Sequence, residues 1–324
     1  MLKQKNGLSY KSLCIDPHKA STEKNVFFTH AHSDHIKLGK NSKFFATSPT
    51  IDLVKKRFQR KYEMNFTPVP FNSKFNIDDV ELTLLENGHI LGSTQIKISA
   101  DKEYGITSDF RLQDSLLFKG AKPIDCDTLV LETTFGSPQY VFPKQDVVTN
   151  EFIDWVSKEA KTKLVVLAGY SLGKAQELTK ISNLAGYVPL VHESIFEMNK
   201  IYAAHGKDVG DYKLLDHNIK DFSVLIMPPQ LVNHFLLTTL REFDSRKVAS
   251  ALATGWTYAR GFDKLFPLSN HADYNDLIEY VKQANPKLVL TDHGQCDEFS
   301  RKLNRLGFKS KPLKQHKQQV LFDF

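Results

Sequence analysis

The chain has 324 residues, a formal net charge of +6 and a pI near 8.9, with 41% hydrophobic and 25% charged residues. That length allows two domains or one large domain carrying an insertion, and the composition is that of a folded globular protein. No run approaches the roughly 18–20 apolar residues that span a bilayer, no apolar signal core follows Met1, and the isolated Cys14, Cys126 and Cys296 argue against a disulfide framework. The expectation is a cytoplasmic protein with no membrane partner.

Residues 1–24 read as short strands and turns ending at Ile15-Asp16-Pro17. The apolar run Val26-Phe27-Phe28 reads as a buried strand and stops at His30, His32, Asp34 and His35. Four ligand-type side chains spaced H-x-H-x-D-H are hard to explain as packing. Period-two spacing puts His30 and His32 on one side of an extended segment, while Asp34 and His35 follow at the turn and can face a second centre. Imidazole and carboxylate are ordinary ligands of zinc and its neighbours, so the stretch reads as a chelating loop.

Ser48 and Pro49 then open a predicted helix, with Ser48 as its N-cap. Lys55, Lys56, Arg57, Arg60 and Lys61 cluster here, and Lys309, Lys311, Lys314 and Lys317 line the tail. Each cluster suits a polyanionic partner and suits a solvated face equally well. Val80, Leu82 and Leu84 alternate with polar residues and predict a strand, as do Ile96 and Ile98. Asp127-Thr-Leu-Val-Leu-Glu132 is an apolar strand closed by an acid.

Beyond Gly136-Ser-Pro138 strands and helices alternate: a helix near Phe152, a strand at Leu164–Ala168, a helix from Gly173, a strand at Val188–Val191 and a helix from Ser194. Strands at Ser223–Met227 and Val248–Leu252 follow. Such alternation predicts a mostly parallel sheet with helices on its faces. The expected division is 1–139 with 263–324 as one domain, and 140–262 as an inserted α/β domain. Asp273 should cap a helix through Leu277 and Val281, the strand Lys287–Thr291 should follow, and a last helix should run from Asp297 to Leu306, stopped by Gly307.

Three more ligand-type residues fall at predicted strand ends: His89 in Gly88-His-Ile-Leu-Gly, Asp109 in Ile106-Thr-Ser-Asp, and His293 in Thr291-Asp-His-Gly. Together with the first four they match the count needed for two metals sharing one carboxylate. In this order, with Asp16 ahead of them, they resemble the signature motifs of the metallo-β-lactamase superfamily. Glu132, His271 in Leu268-Ser-Asn-His, and His293 further resemble motifs A, B and C of its β-CASP branch of nucleic-acid-processing nucleases. The one departure is Ser108, where a glycine commonly precedes the bridging aspartate.

The resemblance implies an α/β fold, a metallo-β-lactamase αβ/βα sandwich with an inserted α/β cap. It implies two zinc ions, with manganese as the alternative. His30, His32 and His89 would hold one ion, Asp34, His35 and His293 the other, with Asp109 between them and Asp16 orienting ligands from behind. A water activated there would attack phosphorus, and His271, supported by Glu132, would protonate the departing oxygen. Asp34 belongs to the same catalytic set. Ser171 and Lys174, at a strand-to-helix turn, would contact phosphate, and Tyr258 and Arg260 would line the path of single-stranded DNA or RNA.

The expected activity is hydrolysis of phosphodiester bonds in single strands or strand ends, with DNA repair or replication ahead of RNA processing. A small-molecule hydrolase of the same superfamily and a non-catalytic scaffold are the rival classes. At the C-terminus Gln318, Leu321 and Phe324 are spaced Q-x-x-L-x-x-F, similar to sliding-clamp-binding peptides. A last strand docked on the body is the competing reading of that tail.

Overall fold

A computed structural model of the chain describes residues 2–58, 65–215, 219–243, 246–256, 258 and 260–313. Arg60, Lys61, Lys314, Lys317 and the tail residues Gln318, Leu321 and Phe324 lie outside the described residues. The chain divides into two compact units. One comprises the chain up to Asp114, Phe118–Val141 and the chain from His271; the other comprises Phe142–Asn270 with Ser115–Leu117.

The first unit is built on two sheets. The first sheet runs in sequence order: β1 (Lys3–Lys5), β2 (Gly7–Tyr10), β3 (Leu13–Ile15), β4 (Asn25–Phe27), β5 (Lys43–Ala46) and β6 (Phe66–Pro68). It begins antiparallel and becomes parallel from β3 onward. Helix α1 (Ser48–Phe58) buries Ile51, Leu53 and Val54 and lies beside β6. Its cap is Thr47, not the expected Ser48: the Thr47 hydroxyl accepts the Thr50 amide at 3.4 Å, and Ser48 already belongs to the helix.

The second sheet takes β7 (Lys74–Ile77), β8 (Val80–Glu86), β9 (Thr94–Ser99), β10 (Glu103–Ile106) and β11 (Thr128–Glu132). Val80, Leu82 and Leu84 are buried while Glu81, Thr83 and Leu85 are less so, which is the predicted alternation. These buried residues, with Ile96, Ile98, Ile106 and Val130, pack against Leu8, Leu13, Ile15 and Phe27 of the first sheet. Two faced sheets result.

The second unit is a parallel sheet throughout. Its strands are β12 (Lys163–Ala168), β13 (Leu190–Val191), β14 (Lys213–Leu214), β15 (Val224–Met227), β16 (Lys247–Ala253) and β17 (Lys264–Phe266), in spatial order β14-β13-β15-β12-β16-β17. Period two divides β12 between two cores. Val165 and Leu167 pack with residues of α2 (Gln145–Glu159), α3 (Lys174–Leu184) and α4 (Glu193–Ala204). Leu164, Val166 and Ala168 pack with Leu237 and Leu240 of α5 (His234–Phe243), a helix the sequence reading did not predict.

The chain then completes the first unit. Helix α6 (Tyr274–Ala284) is capped by Asp273, whose side chain accepts the Asp276 amide at 2.8 Å, as its sequence predicts. Strand β18 (Leu288–Asp292) pairs parallel with β11, α7 (Cys296–Arg305) follows, and β19 (Ser310–Pro312) closes the sheet edge. Leu129 and Leu131 pack with Leu277, Tyr280, Val281, Phe299 and Leu303 of these helices, while Val130 faces the other sheet. A strand buried on both faces explains the continuous apolar run that precedes Glu132. No helix among the described residues is long and apolar enough to cross a membrane.

Candidate metal centre

Every expected ligand of the first unit follows, or closes, a strand. Asp16 follows β3, the His30–His35 loop follows β4, and Asp109 follows β10; Glu132 ends β11 and His293 follows β18. Because β3 and β4 run parallel, as do β10, β11 and β18, their carboxyl ends lie on one side of each sheet. The fold thus gathers residues that the sequence scatters over more than 250 positions.

The ligand atoms converge on the Asp109 carboxylate. His30 Nε2 lies 3.4 Å, His35 Nε2 3.5 Å and His89 Nε2 3.9 Å from Asp109 Oδ2. Donor atoms of His30, His32, His89 and Asp109 all fall within 4.8 Å of one another. Two ligands at about 2.0–2.1 Å from a tetrahedral ion stand about 3.4 Å apart, so these separations are those of atoms sharing a cation. The buried Nε2 atoms of His30 and His35 receive no hydrogen bond among the described residues. A buried imidazole nitrogen without a partner is costly unless a cation takes the lone pair. The residues fit a metal ion.

Asp34 is half-exposed and places Oδ2 3.5 Å from His35 Nε2. The His293 ring stacks on that of His35 with centroids 5.5 Å apart, and its Nδ1 is 3.4 Å from Asp292 Oδ2. His293 adopts a left-handed φ of 59°, and Gly294 follows at 60°, where a Cβ would stand 2.4 Å from the Thr133 carbonyl oxygen. Only glycine permits that approach, which sets the turn that carries His293.

Behind the ligands lies a set of polar supports, of which the motifs indicated only Asp16. Asp16 Oδ2 takes a hydrogen bond from His35 Nδ1 at 2.8 Å, and its Oδ1 takes the Thr29 amide at 2.9 Å. Asn87, fully buried, donates to the Asp109 carbonyl at 2.7 Å and accepts the His89 amide at 3.3 Å, so one side chain joins two ligand loops. Arg57, read from sequence as part of a basic cluster, donates to the Ala31 carbonyl at 2.5 Å and braces the H-x-H segment. Hints existed only in residue type: a buried Asn beside an apolar strand end is uncommon without a partner to satisfy it.

The electrostatics agree with the geometry. Burial disfavours charge on His30 and the adjoining His35 adds to this, so its pKa falls well below the ordinary value and the ring is neutral. Burial pushes His35 the same way, but Asp34, Asp109 and Asp16 outweigh it and raise its pKa well above the usual value. Burial opposes ionisation of Asp109, yet His35, His271 and His30 hold its carboxyl well below the usual range. Burial also works against a charged His293; Asp292 overrides it and lifts the pKa to about 9. Several carboxylates facing one buried point demand positive charge there.

A second pair stands at the edge of the ligands. His271 Nδ1 is 3.1 Å from Glu132 Oε1, and Glu132 Oε2 accepts the Thr134 amide at 2.8 Å. The His271 ring meets that of His89 edge-on at 4.7 Å. Donor atoms of Asp109, Glu132 and His271 also lie within 4.8 Å of one another. The Ala272 amide donates to the Phe110 carbonyl at 2.7 Å, which ties the His271 segment to the Asp109 loop.

In the second unit, Lys174 is buried and turned inward: its amine donates to Asn270 Oδ1 and lies 4.0 Å from Glu177 Oε2. Ser171 Oγ sits 2.9 Å from Ser194 Oγ. Tyr258 is half-exposed beside Trp256, with ring centroids 5.6 Å apart, and Arg260 is exposed.

Several known proteins are similar to this chain. The family described as the Zn-dependent metallo-hydrolase RNA specificity domain matches residues 264–311. A probable DNA ligase of Opitutus terrae is 30% identical over 297 residues, covering 89% of this chain and 28% of that protein. The DNA cross-link repair 1A protein of Gallus gallus is 26% identical over 311 residues, 87% of this chain and 31% of that protein. An RNase J-like protein of Methanocaldococcus jannaschii is 22% identical over 344 residues, 83% of this chain and 81% of that protein. The chain thus spans less than a third of the first two of these relatives. A solved structure of a protein of unknown function from Enterococcus faecalis V583 shares the fold, with a TM-score of 0.63 at 14% identity over 91% of this chain and 80% of that one.

Proposed function

Because the chain belongs to the β-CASP branch of the metallo-β-lactamase superfamily, we propose that it is a metal-dependent nuclease that hydrolyses phosphodiester bonds in single-stranded nucleic acid or at strand ends. The observation that carries this reading is the approach of His30, His35 and His89 to one oxygen of Asp109 at 3.4–3.9 Å. We take the complement as two zinc ions, with manganese as the alternative. His30, His32 and His89 would hold one, Asp34, His35 and His293 would hold the other, and Asp109 would serve both. Such ions lower the pKa of a water molecule and draw charge from a phosphoryl oxygen.

The chain's own groups do the rest. Asp16 and Thr29 keep the imidazoles aimed. His271 holds a proton for the departing oxygen, with its other nitrogen fixed by Glu132 at 3.1 Å. The buried Glu132 carboxylate stabilises the charged imidazole before the proton leaves. Ser171, Tyr258 and Arg260 are candidate contacts to the strand; Lys174, expected there too, is buried with its amine on Asn270 Oδ1 and is not a direct contact.

DNA is the favoured substrate, since relatives include a probable DNA ligase and DNA cross-link repair proteins. A second reading, RNA processing, draws on the family described as an RNA specificity domain and on relatives named as RNases. Matched single-stranded DNA and RNA oligonucleotides, digested with and without a chelator, separate the two. Cleavage of neither, with hydrolysis of a thioester or lactam, would instead favour a small-molecule hydrolase. The tail spacing Gln318, Leu321, Phe324 supports a sliding-clamp partner. Replacing Leu321 and Phe324 by alanine should abolish clamp association, and unchanged affinity would remove that partner from the account.

A further inference from the structure

We propose that Ser108 is a positioning residue of the metal centre: its hydroxyl closes a hydrogen-bond relay through Thr29 to Asp16 that fixes which ring nitrogens of His30 and His35 carry protons. The proposal rests on reading the site as a metal centre. It starts from a backbone oddity. Ser108 has φ +51°, in the left-handed region where a Cβ is unfavourable and glycine is not. Asp16 at +44° and His293 at +59° share this conformation and, with Ser108, line one pocket. Strained residues held together at one site mark a position that the surrounding structure enforces.

What serine brings, and glycine would not, is a hydroxyl. Ser108 Oγ lies 2.6 Å from Thr29 Oγ1 and 3.5 Å from His30 Nδ1. Thr29 Oγ1 is 3.1 Å from His30 Nδ1 and donates to Asp16 Oδ2. The same Asp16 oxygen takes His35 Nδ1 at 2.8 Å.

The proton positions follow from the carboxylate outward. A carboxylate only accepts, so the Thr29 hydroxyl must give its single proton to Asp16. Thr29 Oγ1 can then only accept. Ser108 therefore donates to it, and His30 Nδ1, which faces the same oxygen, must be the protonated nitrogen. His35 Nδ1 is likewise protonated against Asp16. The neutral His30 ring is left with a bare Nε2, and on His35 Nε2 is the nitrogen left to face a cation; the two atoms stand 3.4 and 3.5 Å from Asp109. Without Ser108, Thr29 Oγ1 keeps its bond to Asp16 but loses the second donor that pins it between Asp16 and His30, and its hold on the His30 Nδ1–H form weakens.

Zinc affinity by competition with a chromophoric chelator, together with nitrogen-15 NMR of the histidine tautomers in the metal-free protein, tests this. Ser108→Ala should bind zinc about 10-fold more weakly and show loss of the Nδ1–H form at His30. Thr29→Val should do the same, Thr29→Ser should bind like wild type, and the Ser108→Ala/Thr29→Val pair should be no worse than the poorer single variant. Ser108→Gly, which also lacks the hydroxyl but relieves the backbone, should bind as weakly as Ser108→Ala while melting higher, and it serves if Ser108→Ala does not fold. Wild-type affinity and an unchanged His30 tautomer in the Ala and Gly variants would overturn the proposal. A wild-type protein that binds no zinc or manganese would show, before any variant is made, that the metal-centre reading itself is wrong.

Discussion

His271 Nδ1 lies 3.1 Å from Glu132 Oε1, and these two residues are 139 positions apart in the chain. The pairing leaves one face of the His271 ring fixed by a buried carboxylate while the side chain stays partly open to solvent. That is the arrangement of a proton donor held in one orientation. His271→Ala and Glu132→Gln should each lower kcat by about 10²–10⁴-fold while leaving metal content at the wild-type level. Elemental analysis beside single-turnover kinetics makes the check. Loss of metal in either variant would reassign the pair to the ligand set.

Asn87 joins the His89 and Asp109 loops with one amide group, and it has no solvent to fall back on. Asn87→Ala would leave the Asp109 carbonyl and the His89 amide short of a partner, at about 1–3 kcal/mol in stability. Metal affinity should fall with it, since both loops carry ligands. Asn87→Asp should be worse than Asn87→Ala, because it presents an acceptor to a carbonyl. Denaturation in the presence and absence of zinc measures both effects.

Asp276 supplies a pH dependence away from the ligands. Burial raises its pKa to about 6, and the neighbouring Asp273 adds to this. The folded protein therefore binds this proton more tightly than the unfolded chain, whose Asp titrates near 3.9. The sign follows: stability falls as pH rises from about 4 to about 6 and this contribution is flat above. The group is only partly buried, so about 1 kcal/mol is the expected size after screening. Asp276→Asn keeps an acceptor for Gln113 Nε2, which sits 3.0 Å away. It should stabilise the protein at pH 7, have little effect at pH 4, and flatten the curve between. Urea denaturation across that range shows whether it does.

The sequence made the candidate ligand residues legible because metal chemistry restricts both their types and their placement at strand ends. His30, His32, His89 and Asp109 needed no coordinates to be named, only to be brought within 4.8 Å. The alternation in Val80–Leu84 was equally readable, since burial of one face writes a period of two into a strand, and the parallel sheet of the second unit was readable from strands alternating with helices. Thr29, Asn87 and Ser108 were not. Their role depends on which neighbour receives the proton, and a hydroxyl or amide in a sequence carries no record of its partner. Arg57 was readable only as one of a basic run; its bond to the Ala31 carbonyl leaves no mark in the sequence. Helix α5 escaped because Phe235 and Phe243 remain exposed, which blurs its apolar face.

Elemental analysis of wild-type and Asp109→Ala protein, paired with cleavage of a labelled single-stranded oligonucleotide, tests the paired-cation centre most directly. The wild type should retain about two zinc or manganese ions per chain and cut the strand, and Asp109→Ala should lose metal and cutting together. An Asp109→Ala protein that kept both ions and full turnover would contradict the assignment of Asp109 as the ligand on which the site converges.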